Sequence, residues 1–326
     1  MSVALKVFDA RAVREALTVT DAIAVVRKAM IALSSGQVEQ ALRSFIPLGE
    51  EQTFALMPAA LGGGEPFGAK LISVFADADH PGRKRHQGLV VLFDAETGAP
   101  VCVADAEEIT RIRTAAASAA ATDALARPEA ARLAMLGLGA QARAHIEAIA
   151  QVRNIQTIRV WGRDYPAAQA FAREMDAAHG LTVQACRTAA DAVKEADIVC
   201  TVTGASDPVL QGDWLAPGAH VNLVGSSGPA KAEADTTLVA RSRFIADHAG
   251  HVRAHGGEYL RALEAGVIDD THIAAEIGAV FAGDAPGRTG PDEITVYKSL
   301  GHAVQDLAAA AWLCANANAK EKENGH

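Results

Sequence analysis

The chain is short of cysteine, has no surplus of positive charge and carries no long apolar run. Its four cysteines, Cys102, Cys186, Cys200 and Cys314, are dispersed, and none belongs to a Cys-x-x-Cys pair. That spacing supports neither a zinc knuckle nor a redox dithiol, and it reads most simply as free thiols in a reducing compartment. Thirty basic residues against 39 acidic ones leave a net charge of −9. Nucleic-acid backbone and anionic membrane are therefore poor general partners, although a few local Lys and Arg would suffice for a small anionic substrate. No uninterrupted apolar stretch reaches the ~18 residues of a membrane helix. The opening Met1-Ser-Val-Ala-Leu-Lys6, soon followed by Asp9 and Arg11, is too polar for a signal-peptide core. A cytoplasmic protein is expected.

What the chain does hold is enough for two domains. Its 326 residues exceed the usual size of one compact core, and with 50% hydrophobic and 21% charged residues they describe a soluble globular protein. From about Thr20 to Leu33, apolar residues fall at helical spacing, with Gly36 as a stop. Short runs of β character follow at 43–47, 53–57, 69–75, 89–93 and 101–104. They are punctuated by turns at Gly62-Gly-Gly, Asp79-His-Pro-Gly and Glu96-Thr-Gly. This predicts an antiparallel sheet with a helix against it. From about Thr110 the texture changes to an alanine-dense helix, which Pro128 ends. Strand-like and helix-like segments then alternate, which predicts a parallel sheet covered by helices on both faces.

Leu133-Ala-Met-Leu-Gly137-Leu-Gly139-Ala-Gln141-Ala142 is an apolar strand running into a Gly-x-Gly-x-x-Ala turn and then a helix. The glycines allow a tight turn and let backbone amides approach a pyrophosphate at the helix N-terminus. In a chain with 28 glycines such a triplet means little alone; its place between a strand and a helix gives it weight. The second strand should end in an acidic residue if a ribose 2′-hydroxyl is to be held, but here it ends Trp161-Gly162-Arg163-Asp164. Gly162 leaves room for a 2′-phosphate and Arg163 can pair with it, which favours NADP(H) over NAD(H); Asp164 keeps NAD(H) open.

The sequence resembles the ornithine cyclodeaminase/μ-crystallin family over essentially its whole length. The motifs are Phe67-Gly-Ala-Lys70, His86 to Gly98, Ile109-Thr-Arg-Ile-Arg113-Thr-Ala-Ala-Ala-Ser, the glycine loop, Pro217 to Pro229, and Val296-Tyr-Lys-Ser-Leu-Gly301-His-Ala-Val-Gln-Asp306. The resemblance implies an α/β protein: a Rossmann-type dinucleotide-binding domain over 116–301, and an α+β sheet domain, 1–115 with 302–326, for dimerisation and substrate binding. It implies a homodimer built on that sheet domain. Lys70 and Arg113, with Arg43, are expected to hold a substrate carboxylate, a task suited to bidentate guanidinium plus ammonium. The expected cofactor contacts are Gly137, Leu138, Gly139, Ala140 and Gln141 in the loop, and Gly162, Arg163 and Asp164 after the second strand. His86, Arg113, Thr203, Val224 and Ser299 join them through the resemblance.

Two departures from the cyclodeaminase pattern bear on the reaction. Cyclodeaminases carry an Asp in the loop after Asn-x-Val-Gly, where this chain has Ser226-Ser227. They carry a Glu two residues before Met-Pro, where it has Ala55. A serine is no general base at neutral pH without another base to activate it, and an alanine binds no ammonium. Both changes resemble the ketimine reductases of the family. The expectation is an NAD(P)H-dependent oxidoreductase that reduces a cyclic imino acid, Δ1-pyrroline-2-carboxylate or Δ1-piperideine-2-carboxylate, to proline or pipecolate. Lys70 and Ser227 are its candidate catalytic groups, alongside water as a proton source. A cyclodeaminase-type lyase with bound NAD, another amino-acid dehydrogenase or dehydratase, and a non-enzymatic binding protein are the alternatives. His248, His251 and His255 have helical spacing but no acidic partner in step except Asp247, so an exposed histidine cluster is expected there, with no metal. Trp161 and Trp214 read as core or interface residues.

Overall fold

A computed structural model describes residues 4–50, 52–75, 86–180 and 182–324. They fall into two compact units, one made of residues up to Arg113 together with those from His302 onward, the other of Thr114–Gly301.

The first unit opens with β1 (Lys6–Phe8), α1 (Ala10–Ala16) and α2 (Val19–Ser34). Asp9 and Thr18 start the two helices, each side chain accepting a backbone N–H of the first turn. Then come β2 (Glu39–Gln40), β3 (Ser44–Gly49), β4 (Gln52–Ala60), β5 (Phe67–Phe75), β6 (His86–Phe93) and β7 (Pro100–Asp105). They pair in the order β1-β7-β6-β5-β4-β2, with β3 also on β4; every pairing is antiparallel except β1 with β7. The antiparallel sheet with a helix against it is thus what forms. Short β1 and α1, which the sequence pattern does not announce, extend it by one parallel strand. The Asp79-His-Pro-Gly turn lies outside the described residues.

In β4, Ala55, Met57 and Ala59 are buried at every second position, the period of a strand with one face inward. The helix α3 (Ala106–Leu125) follows β7, and the boundary between the units, at Arg113 and Thr114, falls within it. The last helix, here α11 (Ala303–Asn324), belongs to the first unit, where it packs on α2 and on β4 to β7. Val304, Leu307 and Leu313 are its buried anchors, each contributing about 1.5–3 kcal/mol by leaving water.

The second unit holds β8 (Arg132–Leu136), α4 (Ala140–Ala150), β9 (Thr157–Trp161), α5 (Tyr165–His179), β10 (Thr182–Ala185), α6 (Ala189–Val193), β11 (Ile198–Thr201) and β12 (His220–Leu223). It continues with α7 (Thr236–Arg241), β13 (Ser242–Ala246), α8 (Ala249–His255), α9 (Gly257–Glu264), β14 (Ile273–Glu276), α10 (Ile277–Ala282) and β15 (Ile294–Lys298). The strands form one parallel sheet in the order β10-β9-β8-β11-β12-β15-β13-β14. Every residue of β11, β12 and β15 is buried, as a sheet covered on both faces requires. The chain leaves β8 toward β9 and β10 on one side and toward β11 and β12 on the other. In this doubly wound arrangement ligands bind at that reversal, beyond the carboxyl ends of the strands.

One expectation needs correction. The three histidines are not an exposed cluster: His251 is buried, and His248 and His255 are half-buried. His248 is the N-cap of α8, its Nδ1 accepting the His251 N–H at 3.3 Å, with the two rings edge to face at 4.8 Å. The spacing that looked helical begins one residue outside the helix and serves to start it. Among the described residues no group of three or more His, Cys, Asp or Glu is placed to hold a metal. Nor is any described helix long and apolar enough to cross a membrane. Trp161 packs half-buried against the core of the second unit, while Trp214 is 38% exposed.

Candidate active site

In the first unit the sheet and two helices bring buried charges together. Lys70 lies mid-strand in β5, flanked across the sheet by Met57 and Val90, and only 2% of it reaches solvent. Its ammonium donates to Thr110 Oγ1 at 2.5 Å and to Asp306 Oδ1 at 3.0 Å. Thr110 and Arg113 are three residues apart on α3, hence on one face of it. Arg113 Nε donates to the same Asp306 Oδ1 at 2.9 Å, and its Nη1 donates to Gln305 Oε1 at 2.9 Å. Arg43, half-buried just ahead of β3, acts electrostatically on Lys70 as well. Asp306 is fully buried, and its Oδ2 has no hydrogen-bond partner among the described residues.

Lys70 and Arg113 thus share one carboxylate, Arg43 acts on Lys70 beside them, and the site keeps a positive surplus. Burial, which disfavours an ammonium, lowers the Lys70 pKa to about 8. Asp306 opposes that fall, while Arg113 and Arg43 add to it. An ammonium has three N–H bonds to give, and Thr110 and Asp306 take two. The third, with the uncommitted edge of Arg113, can receive an acid. The structure therefore gathers Arg43, Lys70 and Arg113. Asp306 escaped the sequence reading as a functional residue, although it closes the block Val296 to Asp306 as the one charge in the opening turns of an alanine-rich helix.

The second unit carries the glycine loop. Gly137 has φ +124°, and a Cβ there would meet Val202 O at 2.8 Å, so only glycine fits. Gly139 is the N-cap of α4 without a side-chain cap, and the space around its Cα is open. No side chain caps this end of α4, which fits a dinucleotide pyrophosphate. Leu138 closes over Gly162, where a Cβ would lie 2.4 Å from Leu138 Cδ1. Ala140 and Gln141 open α4. Arg163 and Asp164 are exposed after β9, and Asp164 N-caps α5 without a side-chain hydrogen bond.

Arg187, which the sequence reading passed over, follows β10, the neighbour of β9 in register, and lays its guanidinium over the Tyr165 ring at 4.3 Å. His86 opens β6, but its side chain lies outside the described residues.

Beyond the ends of β11, β12 and β15 lie Thr203, Val224 and Ser299. Thr203 donates its backbone N–H and hydroxyl to Glu233 Oε1 at 2.6 and 2.7 Å. Thr201 Oγ1 and Gly225 N donate to Glu233 Oε2 at 2.8 and 2.6 Å. Glu258 accepts the Glu233 backbone N–H at 2.9 Å and pairs with Lys298 at 2.7 Å, and Lys298 donates to Ser226 O at 2.6 Å. All three charged groups are buried, so these loops are pinned from beneath. Nothing in the sequence announced that network, because its members sit in unrelated segments. Val224 is half-buried, Ser299 is buried with its hydroxyl unpartnered among the described residues, and Ser227 is exposed on the loop after β12. Ser227 belongs to the second unit, Lys70 and Arg113 to the first.

Residues 5–321 match the model of the ornithine cyclodeaminase/mu-crystallin family. The chain is 32% identical over 309 residues to a Bacillus cereus Delta(1)-pyrroline-2-carboxylate reductase, covering 94% of this chain and 95% of that one. It is 34% identical over 276 residues to the mouse ketimine reductase mu-crystallin, covering 84% of each. Among solved structures it is similar to Thermococcus litoralis Delta(1)-pyrroline-2-carboxylate reductase in complex with NADH and L-proline. That match has a TM-score of 0.91 and 30% identity over 98% of both chains.

Proposed function

This chain belongs to the ornithine cyclodeaminase/mu-crystallin family, and from that premise we propose that it reduces a cyclic ketimine, Δ1-pyrroline-2-carboxylate or Δ1-piperideine-2-carboxylate, to L-proline or L-pipecolate. The observation that carries the reading is the buried pair Lys70 and Arg113 on a single carboxylate, with half-buried Arg43 acting on Lys70 beside them. Such a surplus of positive charge away from water binds an α-carboxylate and disfavours an ammonium. Ala55 lies in the core-facing register of β4 and offers no anion to a distal ammonium. Both features suit an imino acid better than ornithine.

The dinucleotide, when bound, supplies the hydride. The residues assigned to hold it are the Gly137 to Gln141 loop, with Gly162, Arg163, Asp164, Thr203, Val224 and Ser299 around it. Arg113 and Lys70 orient the acid, and Lys70 also gives a proton to the imine nitrogen. Its pKa of about 8 leaves the ammonium charged at neutral pH yet ready to part with a proton. Ser227 is assigned a hydrogen bond to the nitrogen or to a water beside it. For the cofactor, NADP(H) is the reading, since Arg163 and Arg187 stand at the ends of adjacent strands where a ribose phosphate would lie.

The active form is proposed to be a homodimer. Among the described residues strand β3 pairs with β4 alone, and Phe45, Ile46 and Leu48 on it are each about half exposed. An apolar strand with an open edge calls for cover, which a second copy would provide. Consumption of NADPH and NADH with five- and six-membered cyclic imino acids tests the reaction. Proline formation from ornithine without added reductant would overturn it in favour of a lyase.

A further inference from the structure

The cation cluster holds one group with no assigned part, Asp306. Its Oδ1 receives both Lys70 and Arg113, while its Oδ2 is buried without a partner among the described residues. Thr110, the other acceptor of the Lys70 ammonium, gives its own hydroxyl proton to Ala106 O at 2.5 Å, so it can only accept from Lys70. The ammonium is thereby fixed on two sides, with one N–H left over.

We propose that Asp306 is the positioning residue of the proton transfer: it keeps the proton on Lys70 and aims the remaining N–H until the imine nitrogen takes it. This rests on the ketimine-reductase reading. In the step a Lys70 Nζ–H bond breaks and an N–H bond forms on the imine nitrogen, whose carbon receives the hydride. Lys70 is left as a neutral amine and regains its proton from water.

The charged groups acting on Lys70 are Asp306 on α11, Arg113 on α3 and Arg43 ahead of β3. Its neighbours across the sheet, Met57 on β4 and Val90 on β6, do not titrate. His302, at the start of α11, is engaged with Gln40 at 2.7 Å. Of these groups Asp306 alone favours the charged lysine. Removing its charge while burial, Arg113 and Arg43 remain must send the Lys70 pKa down from about 8.

The test is Asp306→Asn in the full chain, read in three ways. The rate of imine reduction in the parent should fall above about pH 8, and in the variant that limb should move acidward by roughly one to three pH units. The reverse oxidation of the cyclic amino acid needs Lys70 neutral, so its rising limb should move in the same direction by the same amount. The Lys70 signal in lysine-labelled protein, titrated by NMR without cofactor or substrate, should move with them.

Arg113→Gln, which removes an opposing cation, should raise the NMR titration, and this carries the test if the Asn variant does not fold. A uniform loss of rate at every pH with an unmoved Lys70 titration would reduce Asp306 to a structural role and overturn the proposal. If the parent reduces no ketimine while the Lys70 titration still shifts between the variants, Asp306 controls Lys70 and the ketimine-reductase reading is what fails.

Discussion

Replacing Glu233 by glutamine changes two atoms in a place that tolerates neither. Both carboxylate oxygens face backbone N–H groups at 2.6 Å, Thr203 N on one side and Gly225 N on the other, and a threonine hydroxyl adds to each. Whichever way the amide is turned, its NH2 confronts a backbone donor that cannot rotate away. One or two charge-assisted hydrogen bonds at about 1.5–3 kcal/mol each are lost, and a buried donor is stranded. The total is roughly 3–5 kcal/mol, the range found on breaking a buried charged pair.

For a unit of this size that corresponds to a fall in Tm of about 10 °C. Because the anchor holds the chain just past β11 and β12, dinucleotide affinity should drop by about tenfold or more in the same variant. Thermal unfolding with and without dinucleotide, beside Thr201→Val, which removes a single bond and should cost about 1 kcal/mol, measures both. A Glu233→Gln protein melting within about 2 °C of the parent would refute the reasoning.

Other outcomes follow from the same geometry. Lys70→Ala should lower kcat for imine reduction by about 100-fold or more while dinucleotide Kd, measured by fluorescence titration, stays within about twofold; undiminished turnover would remove Lys70 from the site. Arg163→Ala and Arg187→Ala should each raise KM for NADPH by about tenfold, the low end for an exposed charge-assisted contact, and leave NADH unchanged. Equal changes for both cofactors would dismiss the two arginines as a phosphate site. Gly137→Ala, forced to φ +124° with its Cβ 2.8 Å from Val202 O, should lose dinucleotide binding, and an unaltered Kd would show that the loop does not hold it.

Much of this was legible in the sequence, for local reasons. Alternation of strand and helix, the turn at Gly137 to Ala142, and cations set in runs of small or apolar residues are patterns within one segment. The residues that escaped depend on distant partners. Asp306 meets Lys70 across 236 positions of chain, and a carboxylate on an alanine-rich helix reads alike whether buried or wet. Glu233 gathers Thr201 from the end of β11 and Thr203 and Gly225 from two loops, and only folding places their donors around it. Arg187 acquires meaning when β10 aligns beside β9 and Tyr165 offers a ring. The histidine trio misled because periodicity does not say where a helix begins: His248 precedes α8, so its side chain turns back to cap rather than outward.

The order in which a ribosome delivers this chain sets a constraint of its own. The second unit is one uninterrupted span and can complete itself while still tethered. The first cannot, because α11 and the acid that pairs with Lys70 and Arg113 are translated only after the whole second unit. Until then Lys70 and Arg113 lack Asp306 to be buried with, and the early strands must wait, half-made, through nearly two hundred intervening residues. Loss of the chain from α11 onward by a stop codon or a protease should therefore wreck the first unit and spare the second.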